Sequence, residues 1–145
     1  MRAYVERCNN PPVKKLLTFG TPHAGFSEIP SCSSPAMKPV IDSLKEDLPF
    51  IMRWFSGIAC NWIRSRLIDQ AYSDWLQDKL MPAQYFRDPD RLEEYRKKSA
   101  FLADINCEKE KQNCTSYAKN MQTLDGFYMF AFELDEYVNP RGSAV

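Results

Sequence analysis

The chain has 145 residues, of which 44% are hydrophobic and 13% aromatic, and its 19 basic residues balance its 19 acidic ones. This composition is typical of a folded domain and excludes a disordered segment. The balanced charge gives no indication of nucleic-acid binding. No apolar run approaches the roughly 20 residues of a membrane-spanning helix, so stable membrane insertion is not expected. The charged start, Met1 to Arg7, does not resemble a signal peptide.

The five cysteines indicate the compartment. With no Cys-x-x-Cys pair and a single histidine, a metal site is not expected. Disulfides in an oxidising compartment are the better interpretation, and the potential glycosylation site at Asn113 fits a secretory route. Secretory features without an export signal predict that Met1 is an internal methionine and that the chain is a fragment.

The first elements are a helix end, a strand and a glycine-rich loop. A helix over 2–8 is expected to end at the Asn-Asn-Pro-Pro sequence of residues 9–12. Residues 16–19 form an apolar run typical of a parallel strand buried on both faces. In an open α/β sheet the loops at the carboxyl ends of strands bind ligands. The near-site residues predicted in this loop are Gly20, Thr21, His23 and Gly25.

The middle of the chain predicts helices. A loop rich in Ser and Pro covers residues 27–39, and helices are expected over 40–48, 53–69, 72–80 and 91–98. Their aromatic faces could line a groove for an apolar chain, although apolar stripes at helical spacing more often form core. The groove candidates are Trp54, Phe55, Trp62, Trp75 and Leu76.

The last part predicts a second strand. A loop from Cys107 to Cys114 precedes a helix that begins at Thr115 or Ser116 and ends near Leu124. Residues 127–132 are then expected to form a second buried strand. The plan is an α/β fold in which two core strands flank a mostly helical insertion over 26–124. Two strands leave sheet edges unpaired, so the chain expressed alone is expected to be poorly stable.

Two residues are candidates for chemistry. Asp135 lies where the second strand ends, the position of the acid in a Ser–Asp–His triad, although Asp is also a common turn residue. His23 precedes Asp135, whereas the triad histidine follows the acid, so a structural hydrogen bond to the loop backbone is favoured over catalysis. No Gly-x-Ser-x-Gly nucleophile motif is present. This chain alone is therefore expected to be inactive.

Several stretches together resemble the palmitoyl-protein thioesterases of the lysosomal type, within the α/β-hydrolase superfamily. The resemblance follows nearly the whole chain in order, and no single motif carries it. The matching stretches are Arg2-Ala3-Tyr4-Val5-Glu6-Arg7-Cys8, Phe19-Gly20-Thr21-Pro22-His23-Ala24-Gly25, Ile29-Pro30-Ser31-Cys32, Ala71-Tyr72-Ser73, Gln84-Tyr85-Phe86-Arg87-Asp88-Pro89, Phe101-Leu102-Ala103-Asp104-Ile105-Asn106, and Asp135 with Val138 and Pro140.

The resemblance implies one partial hydrolase domain over 1–145. Residues 1–25 would hold the end of the nucleophile helix, a core strand and its loop, residues 26–124 a helical insertion, or lid, shaping a lipid groove, and residues 125–145 the second strand and the acid loop. Asp135 matches the catalytic aspartate, with the serine expected before Met1 and the histidine after Val145. The implied reaction is hydrolysis of the thioester between a fatty acyl chain and a protein cysteine.

The resemblance also carries expectations about partners, location and disulfides. The substrate would be an S-acylated protein or acyl thioester, no cofactor is implied, and the full-length protein would be lysosomal, vacuolar or secreted. The family pattern pairs Cys32 with Cys60 and leaves Cys8 for a cysteine outside this chain. Cys107 and Cys114 are paired with each other as a departure from that pattern, and a disulfide at Cys114 could hinder a glycan on Asn113.

Two other functions remain open from the sequence. The chain could be an inactive secreted module that binds a lipid or a lipidated peptide. It could also belong to a hydrolase of ordinary carboxylic esters. Turnover of thioesters against oxygen esters separates the enzymatic alternatives, and absence of turnover favours the binding module.

Overall fold

A computed structural model describes residues 1–29, 31–35, 38, 42, 56–109, 114–135 and 137–145. Trp54, Phe55, Asn113 and nearly all of the helix predicted over 40–48 lie outside these ranges. The described elements are helices α1 (Arg2–Arg7), α2 (Ser56–Asp69), α3 (Asp74–Lys79), α4 (Met81–Tyr85), α5 (Leu92–Lys98), α6 (Leu102–Ile105) and α7 (Thr115–Gln122), strands β1 (Lys15–Phe19) and β2 (Gly126–Phe130), and 3-10 turns at Pro89–Arg91 and Arg141–Ala144.

The two strands pair in parallel, from Lys15 opposite Gly126 to Phe19 opposite Phe130. Parallel pairing requires a long crossover connection, which the helical region between the strands supplies. The carboxyl ends of β1 and β2 therefore meet at one edge. The backbone N–H of Gly20 donates to the carbonyl of Phe130 at 2.8 Å there. The loops that follow the two strands consequently begin side by side, as expected for an α/β fold.

The prediction that the strands are buried on both faces is wrong for the described residues. Along β1 the exposure alternates, with Leu16 5% exposed and Leu17 51% exposed. Phe19 is 59% exposed and stacks on Phe130 with 4.7 Å between ring centroids. Alternation is the pattern of a sheet covered on one face. The apolar side chains on the other face of β1 therefore lack cover from the described residues.

Two apolar clusters build the helical region. One contains Cys60, Leu67, Leu76, Leu80 and Ala83, and the other contains Ala71, Tyr72, Phe86, Tyr95, Leu102 and Ala103. An isolated parallel bridge joins Phe26 to Phe86, and the N–H of Phe26 donates to the carbonyl of Tyr85 at 3.1 Å. The loop after β1 is thus fixed directly to the helices.

The helix predicted over 72–80 is shorter than expected, and a second helix follows it at once. The Ser73 hydroxyl accepts from the N–H of Leu76 and caps α3, as Ser commonly does. Leu80 is extended and ends α3. Pro82 lies in the first turn of α4, where its missing N–H is not needed.

Both predicted disulfides are present in the structure. Cys32 is bonded to Cys60 and Cys107 to Cys114, with Cα–Cα distances of 5.8 and 5.9 Å. Cys8 is exposed and has no disulfide partner within the described ranges. Among the described helices, none has the length and apolar character needed to cross a bilayer.

Candidate functional site

Asp135 lies in the loop that follows β2, and its carboxylate is fixed by its own turn. Oδ1 accepts from the backbone N–H groups of Tyr137 and Val138 at 2.8 and 3.0 Å. Asp commonly closes such turns. Oδ2 faces the loop after β1, because a Cβ placed on Gly20 would lie 3.4 Å from it. One oxygen therefore sets the turn, and the other is the one directed toward the neighbouring loop.

Gly20 permits this close approach of the two loops. Its φ is +54°, in the region that favours glycine. A Cβ at this position would also lie 3.0 and 3.1 Å from two ring atoms of Phe132. A Cβ would require the Phe132 ring to shift by a few tenths of an ångström and would be in ordinary contact with the Asp135 carboxylate. The positive φ and the close contacts therefore favour glycine where the two strand-end loops meet.

His23 has a different hydrogen-bond partner from the one expected. Its Nε2 lies 2.8 Å from the hydroxyl of Thr18 rather than on loop backbone, and its ring meets Phe127 edge-on. The carbonyl of His23 accepts from Arg2 and Asn106. No hydrogen bond joins His23 to Asp135 among the described residues. His23 thus fixes the loop to the sheet and to α1.

Burial lowers the pKa of His23 below its usual value, with a smaller contribution from the charge of Arg2. The unfolded chain therefore binds this proton more readily, so we expect stability to fall as pH drops through the range below about 6.5. The His23→Gln variant should lose this part of the dependence, which one proton limits to about 1.4 kcal/mol per pH unit. Urea unfolding at pH 7.5, 6.5 and 5.5 measures it. Equal pH slopes in the two proteins would contradict the assignment.

An apolar cavity of about 340 Å³ lies beside the loop that contains Asp135. Gly20, Tyr137 and Val138 line both this cavity and the surface around Asp135. Its volume lies within the roughly 300–1,000 Å³ of small-molecule sites. The lining residues are Gly20, Pro22, Phe26, Ile29, Leu67, Ala71, Leu80, Met81, Pro82, Ala83, Phe86, Tyr137 and Val138. The carboxylate is therefore adjacent to a space suited to an apolar ligand.

The three groove candidates that the structure describes, Trp62, Trp75 and Leu76, lie outside the cavity lining. Trp62 and Trp75 are 38% and 47% exposed, and Leu76 is buried in the first apolar cluster. None of the three is among the residues that line the cavity. The helical period identifies apolar side chains but not the few that border empty space. The short apolar sequence of α4, with Met81, Pro82 and Ala83, was the signal that could have indicated this wall.

Known proteins are similar to this chain along nearly its whole length. The chain is 35% identical to palmitoyl-protein thioesterase 1 of Caenorhabditis elegans over 99% of its length, which covers 41% of that protein. It is 28% identical to palmitoyl-protein thioesterase 3 of Dictyostelium discoideum, covering 98% of the chain and 40% of that protein.

A third relative is a palmitoyl-protein thioesterase-dolichyl pyrophosphate phosphatase fusion of Schizosaccharomyces pombe, 27% identical over 97% of the chain and 19% of that protein. The chain thus spans about two fifths or less of these curated relatives. The family model for palmitoyl protein thioesterase matches residues 1–145. The chain belongs to the palmitoyl protein thioesterase family.

Proposed function

We propose that the full-length protein containing this chain hydrolyses the thioester between a long fatty acyl chain and a protein cysteine. The observation that carries the proposal is the apolar cavity whose wall at Gly20, Tyr137 and Val138 is shared with the surface of Asp135. An acyl chain in this cavity would bring its thioester near the acid loop. The names of the relatives agree with this substrate class.

In this proposal Asp135 is the acid of a Ser–Asp–His triad. The serine attacks the thioester carbonyl, the histidine takes its proton and returns it to the leaving thiolate, and the carboxylate orients the histidine. Water then hydrolyses the acyl-enzyme by the same route. The turn geometry supports this role, because Oδ1 already accepts two backbone N–H groups and Oδ2 is directed toward the adjoining loop. The serine and histidine would come from the rest of the protein.

The proposal extends to architecture and location. We assign the chain to an α/β-hydrolase domain, with residues 26–124 as a helical insertion over the active site. The parallel β1–β2 pair and the cavity wall formed by α2 and α4 support this assignment. A lysosomal, vacuolar or secreted location fits the two disulfides, since disulfides persist in oxidising compartments. Asn113 remains the proposed glycosylation site.

The test uses the full-length protein and measures kcat/KM for acyl thioesters of two and sixteen carbons and for the matching oxygen esters. Ala83→Leu should lower kcat/KM for the sixteen-carbon thioester about 15-fold, since excluding two buried methylene groups costs about 1.6 kcal/mol. The two-carbon thioester should change less than twofold. Ala118→Leu, on the exposed surface of α7, adds the same side chain away from the cavity and serves as the control.

The possible results separate the three functions. Sixteen-carbon thioester turnover with the chain-length effect of Ala83→Leu supports the proposal. A clear preference for oxygen esters would make the protein a carboxylester hydrolase. Tight binding of a fatty acyl chain with no turnover of either ester would make it a binding module. An equal loss of kcat/KM for the sixteen-carbon thioester in Ala83→Leu and Ala118→Leu would show that the cavity does not bind the acyl chain.

A further inference from the structure

The segment after Asp135 joins the two strand-end loops to each other. Residues 141–145 are small or polar, and their sequence alone gives no indication of a role. In the structure the carbonyl of Asn139 accepts from the N–H of Ser27 at 2.8 Å. Residues 141–144 then form a 3-10 turn whose Ser143 and Ala144 are buried. The end of the chain is therefore packed against the loop that follows β1.

Ser143 makes the central connection. It is 3% exposed, and its hydroxyl donates to the carbonyl of Gly25 and accepts from the N–H of Ala24 at 3.1 Å. The same N–H also approaches the carbonyl of Ser143 at 3.2 Å. The Ser143 hydroxyl thus acts as both a hydrogen-bond donor and a hydrogen-bond acceptor to the loop after β1. Gly25 is packed closely in this loop, since its φ is +84° and a Cβ there would lie 2.6 Å from the carbonyl of Tyr85.

Arg141 connects the 3-10 turn of residues 141–144 to Asp135. Its Nε donates to the backbone carbonyl of Asp135 at 2.9 Å, while the N–H groups of Tyr137 and Val138 hold Oδ1. The guanidinium therefore acts on the backbone of Asp135 and leaves the carboxylate free of a competing ion pair from this side chain. The route from Gly25 to Asp135 passes through Ser143 and then through Arg141, two residues apart.

We propose that Arg141 and Ser143 are positioning residues that hold the Asp135 carboxylate over the loop after β1. This inference rests on the proposed triad role of Asp135. A displaced carboxylate would leave the acyl cavity intact but misalign the histidine, and a misplacement of about 1 Å can lower a rate up to about 100-fold. The loss should therefore appear in kcat and not in KM.

The experiment uses the full-length protein and a sixteen-carbon acyl thioester. Ser143→Ala and Arg141→Ala should each lower kcat about tenfold with KM changed less than twofold. Ser99→Ala is the matched control for the first variant, since Ser99 is fully buried and its hydroxyl accepts from the N–H of Ala103. Arg96→Ala, which removes an exposed ion pair with Glu93, is the control for the second.

A double-mutant cycle with Asp135→Asn distinguishes positioning from general destabilisation. If the two residues act through Asp135, Ser143→Ala should lower kcat by less than twofold in the Asp135→Asn background. A full tenfold loss there would overturn the inference. If Ser143→Ala does not fold, Arg141→Ala, an exposed position, carries the same test. A wild-type protein without thioesterase activity would instead refute the proposed function, while an active wild type with unchanged variants would refute the positioning role alone.

Discussion

Asp135→Asn is expected to lower the kcat of the full-length protein for a long acyl thioester about 10⁴-fold, the effect of the same change in a serine-hydrolase triad. An asparagine keeps an oxygen that accepts from Tyr137 and Val138, so the turn should survive. What is lost is the charge that stabilises the protonated histidine and selects its tautomer. KM for a long acyl thioester should change less than about threefold, because the cavity is untouched.

Asp78→Asn provides the matched control, since Asp78 is exposed on α3. It should retain activity within twofold. Asp135→Ala should additionally lower the melting temperature, because it removes the acceptor of both turn hydrogen bonds. If Asp135→Asn retains more than a tenth of the wild-type kcat, Asp135 is an ordinary turn residue and the acid must be sought elsewhere in the protein.

Removing the Cys32–Cys60 disulfide is expected to lower the free energy of unfolding by about 3.5 kcal/mol. The estimate follows from the chain entropy released when a loop with a sequence separation of 28 is opened. Cys60 packs with Leu67 and Leu80, which line the cavity. The double Cys→Ser variant should therefore also weaken binding of a long acyl chain. Urea unfolding of the full-length protein measures the first effect.

The Cys107–Cys114 disulfide provides the internal comparison. With a sequence separation of 7, its removal should lower the free energy of unfolding by about 2.4 kcal/mol. This disulfide joins residues away from the cavity lining, so acyl binding should not change. A larger loss for the shorter loop would show that packing around the cystine, and not loop entropy, governs the stability.

The positions of the elements were largely predictable because they depend on local signals. The apolar run of β1 and the turn residues before it predicted the strand, and residues 15–19 form it. The place of Asp135 in the loop after β2 was likewise predictable from the transition between strand and loop. These features depend on residues that are close in sequence. The spacing of their apolar side chains and their turn-forming residues determine the local structure.

The cavity and the contacts of Ser143 were not predictable, because they depend on residues far apart in the chain. Ser143 meets Gly25 across a sequence separation of 118, and neither residue carries a periodic signal. The cavity lies where α4 and the loop after β1 fail to fill space, which no property of Ala83 or Ile29 alone reveals. Burial on both faces of β1 was predicted from its apolar content, but content does not report which neighbours are available to cover it.

The parallel register of β1 and β2 has a consequence for synthesis of the protein. Lys15 can pair with Gly126 only after the entire helical region between them has been made. At translation rates of about 5–20 residues per second, β2 is synthesised roughly 5–20 s after β1. During that time the edge of β1 that pairs with β2 has no partner, and exposed edges of this kind are prone to aggregation. Assembly of the site is therefore a late event in the folding of this chain.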